Sequence, residues 1–143
     1  TLGIAMGIRC YKAYLEVMST ERWQRAFNFG ARPQRLLMAS TGTKDPSAPD
    51  SLYVKALAAP NTIDTMPEAT LKAFGDHGEV GGAIPADGGD CEVQIAKIAA
   101  AGIDVDALAA KLQEDGAKSF VASWNELMEV IASKAAALET SGD

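Results

Sequence analysis

Two short runs constrain this chain more than any other feature. Arg35-Leu36-Leu37-Met38-Ala39-Ser40 is apolar, and Asn61-Thr62-Ile63-Asp64-Thr65 is β-branched. Both are too brief for helices and are bounded by turn formers, so each is expected to be a strand, the first of them fully buried. Between them Asp50 is placed to cap a helix from Ser51 to about Ala58, ended at Pro60. Strand, helix, strand in that order implies parallel βα units. Two strands are too few for a stable sheet, and a closed (β/α)8 barrel needs roughly 250 residues. The chain has 143. The expected fold class is therefore α/β, as a part of a larger architecture.

The rest of the chain reads as helix. Ile4, Ile8, Tyr11, Leu15 and Met18 step by three and four, which predicts a helix over 2–18. Gly3 and Gly7 either weaken it or admit a close neighbour. Thr20 is placed to cap a short helix, Glu21 to Phe29, closed at Gly30 with Pro33 beyond. Thr65, Pro67 and Glu68 have capping-box spacing and open a helix through Phe74. Residues 75–90 hold six Gly and one Pro and read as a flexible connection. Beyond them helices are expected over 91–101, 104–113 and 117–138. In the last, Phe120, Trp124, Leu127 and Ile131 would form a buried stripe. The organisation expected is thus βα units over 1–74, a connection over 75–90 and a helical tail over 91–143, its last four residues frayed.

Composition excludes several classes of function. A formal charge of −6 argues against nucleic acid or an anionic membrane as the main partner, since both need clustered Lys and Arg. A small phosphorylated ligand needs only one or two local cations and stays open. Cys10 and Cys91 lack metal-ligand spacing, and with one His in the chain no metal site is expected. Two scattered cysteines read as reduced and intracellular. No apolar run approaches the roughly 18 residues of a membrane span. The chain begins at Thr1 directly in an apolar stretch, which reads as a cut end.

The loop after the first strand carries the chemical signal. Ser40-Thr41-Gly42-Thr43-Lys44 offers hydroxyl donors, a glycine for close backbone approach and one cation, all suited to an oxyanion at the C-terminal end of a parallel strand. In barrels, phosphate sites commonly use the loops after the last two strands. The pattern lacks the GxxxxGK[ST] spacing of a nucleotide P-loop, and a plain surface turn is the alternative.

The run from Arg32 through Leu36-Leu37-Met38-Ala39-Ser40-Thr41-Gly42-Thr43-Lys44-Asp45-Pro46 strongly resembles the transaldolase family, in the long bacterial type that also occurs fused to glucose-6-phosphate isomerase. The likeness continues through Asp50-Ser51-Leu52-Tyr53-Val54-Lys55-Ala56-Leu57 and Asn61-Thr62-Ile63-Asp64-Thr65-Met66-Pro67-Glu68. It is most specific over 32–78. The resemblance implies a (β/α)8 barrel whose seventh and eighth strands are the two read here, followed by a mostly helical C-terminal tail. It implies a cofactor-free transfer of a dihydroxyacetone unit between sugar phosphates of the fructose 6-phosphate and sedoheptulose 7-phosphate class, in the cytoplasm, through a lysine Schiff base in the pentose phosphate pathway. Ser40 matches the family's phosphate-binding serine. The basic residue that commonly follows two positions later is here Gly42, and Lys44 is the candidate to take its place. The Lys-Ile-Pro-like motif of the Schiff-base lysine is not found, nor are the proton-shuttling Asp and Glu or any isomerase sequence. No catalytic residue is therefore assigned; the candidate phosphate ligands are Ser40, Thr41, Gly42 and Lys44, and the expected partner is the remainder of the barrel.

Other residues weigh against a catalytic reading. Lys44 adjoins Asp45 in a polar loop, which favours the charged form over a nucleophile. His77, before Gly78, is expected to satisfy the last carbonyls of its helix. Trp23 and Trp124 are expected to be packing residues, and Arg32 and Arg35 structural or solvated. Asp64 either faces a barrel mouth or caps the helix after Met66, and Tyr53 is unassigned. Two further readings stand beside the first: a non-catalytic helical interaction domain of the same ancestry, and a self-associating half-barrel enzyme.

Overall fold

The computed structural model describes residues 2–140. The chain forms two compact units, one up to Ala100 and one from Ala101. The first contains helices α1 (Leu2–Ser19) and α2 (Glu21–Asn28), strand β1 (Leu37–Met38), helix α3 (Leu52–Ala56), strand β2 (Ile63–Asp64), and helices α4 (Glu68–His77) and α5 (Cys91–Ala100). The second is built on one helix, α6 (Val105–Thr140).

The strands pair in parallel, Leu37 opposite Ile63 and Met38 opposite Asp64, as the strand–helix–strand order predicts. Ile63 N–H donates to Leu36 O and Thr65 N–H to Met38 O, both at 3.0 Å. The pairing is shorter than the six- and five-residue runs that suggested it. Nor is β1 fully buried: Met38 is buried, but Leu37 and its register partner Ile63 are 47% and 42% exposed. Side chains alternate across a sheet, so Leu37 and Ile63 share the face that no described element covers.

Met38 faces the core, where it packs with Tyr11, Leu57 and Ile84, flanked by Ile8, Tyr14, Leu15 and Leu36. Helix α1 supplies Tyr11, Ile8, Tyr14 and Leu15 to this cluster, residues that recur at helical spacing. Gly7 is the reason α1 lies so close to the end of α3. A Cβ there would stand 2.7 Å from Leu57 Cδ2, and one at Gly3 would touch the Tyr53 ring. The close-approach alternative is therefore the one realised. Tyr11 also donates from its hydroxyl to Pro60 O at 3.4 Å. On another side α1 packs against α5, with Ala5, Cys91 and Ile95 buried and Arg9 paired to Glu92 through both guanidinium and carboxylate edges. That guanidinium holds the Glu92 carboxyl below its ordinary range.

Local signals set several helix ends. Thr20 Oγ1 accepts from Trp23 N–H at the start of α2, and Gly30 closes it at a φ of 93°. Asp104 accepts from Ala107 N–H at the start of α6. Two expected caps are absent. Asp50 does not cap α3, whose first flanking residue is Ser51 without a side-chain bond, and α4 begins after Pro67 without a side-chain cap. Within 75–90, α4 continues to His77, and Ile84 is anchored by its N–H to Ala58 O at 2.9 Å.

The last two helices expected are one. α6 runs unbroken through Gly116, where glycine costs about 1 kcal/mol relative to alanine. The i,i+4 pair Lys111–Asp115 precedes it and Glu114–Lys118 spans it, each contributing about 0.2–0.5 kcal/mol, and the Ala-rich flanks favour continuation. The stripe expected to be buried is exposed: Phe120 82%, Trp124 62%, Ile131 52%. The other tryptophan, Trp23, is half-buried, with its ring 6.3 Å from that of Phe27. The expected fraying of the last four residues includes Ser141 to Asp143, which lie outside the described residues.

Leu57 meets both the glycine of α1 and the centre of the core. Leu57→Ala is expected to cost about 2–5 kcal/mol of stability, measured as a fall in the urea midpoint.

Candidate functional site

At the end of β1 the chain makes an unusual turn. Ser40 has φ +58°, in the left-handed region that a non-glycine residue occupies at a cost of about 1–2 kcal/mol. Strain of this kind persists where surrounding contacts over-determine the backbone. Two such contacts follow immediately. Thr41, 2% exposed, donates its hydroxyl toward Asp64 Oδ1 at 2.8 Å and Thr65 O at 3.0 Å, at the end of the neighbouring strand. Gly42 lies flat against the start of α4, where an added Cβ would stand 2.9 Å from Pro67 Cγ and 3.1 Å from Pro67 Cδ.

These contacts shape a cleft of about 620 Å³ lined by Ser40, Thr41, Gly42, Thr43 and Lys44 on one side and by Leu52, Tyr53 and Leu57 on another. All four residues singled out as phosphate ligands thus border one cleft. They differ in what they present. Ser40 and Lys44 are exposed and Gly42 is half-buried. Thr41 has its hydroxyl proton directed to Asp64 and Thr65, so its side chain acts as an internal donor. Tyr53, unassigned from sequence, lines the same cleft.

Asp64 neither caps the helix after Met66 nor stands alone: it is the acceptor for Thr41. Sequence reasoning missed this pairing. Alternation orders the side chains within each strand, but only the register places Asp64 on the face of Met38 and brings it to the end of β1.

Beyond Lys44 the loop is tied down at each end. Asp45 accepts from both the N–H and the hydroxyl of Ser47, which holds its carboxyl below the ordinary range. Thr43 donates its hydroxyl to Pro49 O at 2.9 Å. His77 was expected to serve the last carbonyls of α4. Its ring instead stands between carboxylates, Nε2 3.0 Å from Asp50 Oδ1 and Nδ1 3.2 Å from Asp76 Oδ2. Carboxylates, which attract an imidazole more strongly than carbonyls once it is protonated, stand at both nitrogens. The bond to Asp50, reinforced by Asp76, raises the His77 pKa above its ordinary value. Arg32 and Arg35 are exposed at the opposite end of β1. Among the described residues no group of His, Cys, Asp and Glu is arranged to hold a metal ion, and no helix is long and apolar enough to cross a membrane.

Two outcomes follow from this geometry. Gly42→Ala is expected to destabilise the chain by about 1–3 kcal/mol, because the Pro67 ring cannot rotate away. The measurement is a denaturation midpoint set beside that of Gly81→Ala, where a Cβ meets nothing. The His77 ring should titrate by NMR above about 6.5, and Asp50→Asn should lower its midpoint. A raised folded-state pKa stabilises the protonated form, so this contribution is complete below the unfolded value and disappears as pH rises through the folded one.

The family described as Transaldolase/Fructose-6-phosphate aldolase matches residues 1–131. Among curated proteins, the chain is 44% identical over 140 residues to the Transaldolase of Frankia alni, covering 97% of this chain and 38% of that protein. It is 45% identical over 129 residues to the Transaldolase of Parafrankia sp. (90% and 35%), and 47% over 122 residues to that of Acidothermus cellulolyticus (85% and 33%). The chain thus spans little more than a third of the length of these relatives. A match over nearly its whole length, with identities this high, makes the chain a member of the transaldolase/fructose-6-phosphate aldolase family.

Proposed function

We propose that this chain is the C-terminal portion of a transaldolase and contributes the sugar-phosphate-binding corner of its active site. In this reading β1 and β2 are the seventh and eighth strands of a (β/α)8 barrel. Residues 1–74 are barrel units, 75–90 a connection and 91–143 a helical tail that packs on the barrel. The whole enzyme, cytoplasmic and cofactor-free, transfers a dihydroxyacetone unit between sugar phosphates such as fructose 6-phosphate and sedoheptulose 7-phosphate through a lysine Schiff base, a step of the pentose phosphate pathway. The Schiff-base lysine belongs to the part of the barrel that this chain does not supply.

The observation that carries the reading is the Ser40 turn. A strained backbone at the C-terminal end of a parallel strand opens into a cleft bordered by a hydroxyl, a glycine and a lysine, the groups that recognise a phosphate dianion. Lys44 supplies the charge and Ser40 a hydroxyl donor. Exposure of Leu37 and Ile63 on the uncovered sheet face supports a further layer of barrel in the whole protein.

A second reading, a non-catalytic interaction domain, is favoured by the exposed Phe120, Trp124, Leu127 and Ile131 on α6, since a large apolar face commonly marks a contact surface. Substrate trapping tests the first reading, and phosphate affinity separates the two. Incubated with fructose 6-phosphate and borohydride, the chain should keep its intact mass, and an adduct mapped to one of its lysines would refute the missing-lysine assignment. In parallel, Ser40→Ala and Lys44→Ala should each weaken binding of inorganic phosphate by about tenfold, the effect of losing one charge-assisted hydrogen bond. Unchanged affinity in both variants would favour the interaction domain.

A further inference from the structure

The Thr41–Asp64 contact is a part-buried side-chain bond at the candidate site, and it involves a carboxylate beside a place read as binding an anion. A carboxylate near a phosphate dianion repels it, so its presence calls for a role that outweighs that repulsion. Asp64 sits opposite Met38 in the register, at the last paired position of β2. Thr41 is three residues beyond Met38, and its hydroxyl reaches back to Asp64 at 2.8 Å and to Thr65 O at 3.0 Å. Ser40, at φ +58°, is the residue between this anchor and the strand, with Ala39. The strand fixes the chain on one side of Ser40, and the Thr41 bond with the Gly42–Pro67 contact fixes it on the other.

We propose that Asp64 and Thr41 are positioning residues for the anion site: the Asp64 carboxylate, through the Thr41 hydroxyl, holds Ser40 in the left-handed turn that sets it in the cleft wall beside Gly42 and Lys44. Neither side chain needs to touch the ligand. The proposal rests on the phosphate-binding reading of that cleft and adds what holds it in shape. It also predicts an unusual sign. As a bystander charge, Asp64 would weaken anion binding, and its removal in any form would strengthen it. As a positioning acceptor, its removal weakens binding unless the acceptor oxygen is kept.

The test uses the whole chain and inorganic phosphate as the probe, followed by amide NMR titration. Binding is read beside the intraresidue amide–Hα NOE of Ser40, which is strong only for positive φ. Thr41→Ser keeps the hydroxyl and Asp64→Asn keeps an acceptor oxygen while losing the charge. Both should retain the NOE and bind phosphate at least as well as the parent within about threefold. Thr41→Val and Asp64→Leu should lose the NOE and bind about tenfold more weakly, with far-UV circular dichroism unchanged. A parent chain that binds phosphate, with Thr41→Val equal to it in affinity and NOE, overturns the positioning role alone. So does tighter binding by Asp64→Leu. A parent chain that keeps the Ser40 NOE yet binds no phosphate overturns the anion-site reading and the proposal with it. Should Thr41→Val fail to fold, the contrast between Asp64→Asn and Asp64→Leu carries the same decision.

Discussion

Two backbone hydrogen bonds set the register of the parallel pair, and both the core and the cleft follow from that register. Leu37 lies opposite Ile63 and Met38 opposite Asp64. A slip of one residue would turn every side chain of one strand to the other face. Met38 would leave Tyr11, Leu57 and Ile84, and Asp64 would lose Thr41. Packing and the candidate site are thus two consequences of one alignment. A substitution that loosened the pairing would disturb both.

The core in turn depends on close approach. Helix α1 can lie against Leu57 and Tyr53 because Gly7 and Gly3 offer no Cβ. That nearness brings Tyr11 over Met38 and lets its hydroxyl reach Pro60, between α3 and β2. Apolar burial supplies the driving force, while the glycines decide where it is spent. The same residues, Tyr53 and Leu57, also line the cleft at the C-terminal end of β1.

Acidic residues around that cleft are engaged in ways that reconcile a chain of net charge −6 with an anion site. Asp45 closes a turn through Ser47, Asp50 meets His77, and Asp64 accepts from Thr41. Each carboxylate is engaged with a donor within the fold. Net charge therefore says little about a small ligand, because recognition depends on a few groups within several ångströms.

What could be read in the sequence was whatever has a local cause. The period of α1, the Thr20 cap of α2, the Gly30 stop and the Asp104 start of α6 arise from neighbours within one or two turns, and they appear as expected. The strand order and the family resemblance over 32–78 were legible for the same reason, as contiguous patterns. Tertiary structure decided the rest. Thr41 meets Asp64 across 23 residues and His77 meets Asp50 across 27, and no periodicity encodes such pairs. The caps assigned to Asp50 and Thr65 failed because propensity names a competent side chain without fixing where it is drawn; Asp50 went to a histidine. The gap expected between 113 and 117 is helical, carried through Gly116 by the Glu114–Lys118 pair that spans it and by the alanines around it. Sequence specified the elements and their kind; packing specified their ends, their partners and the turn at Ser40, because those depend on contacts that exist only once the chain has folded.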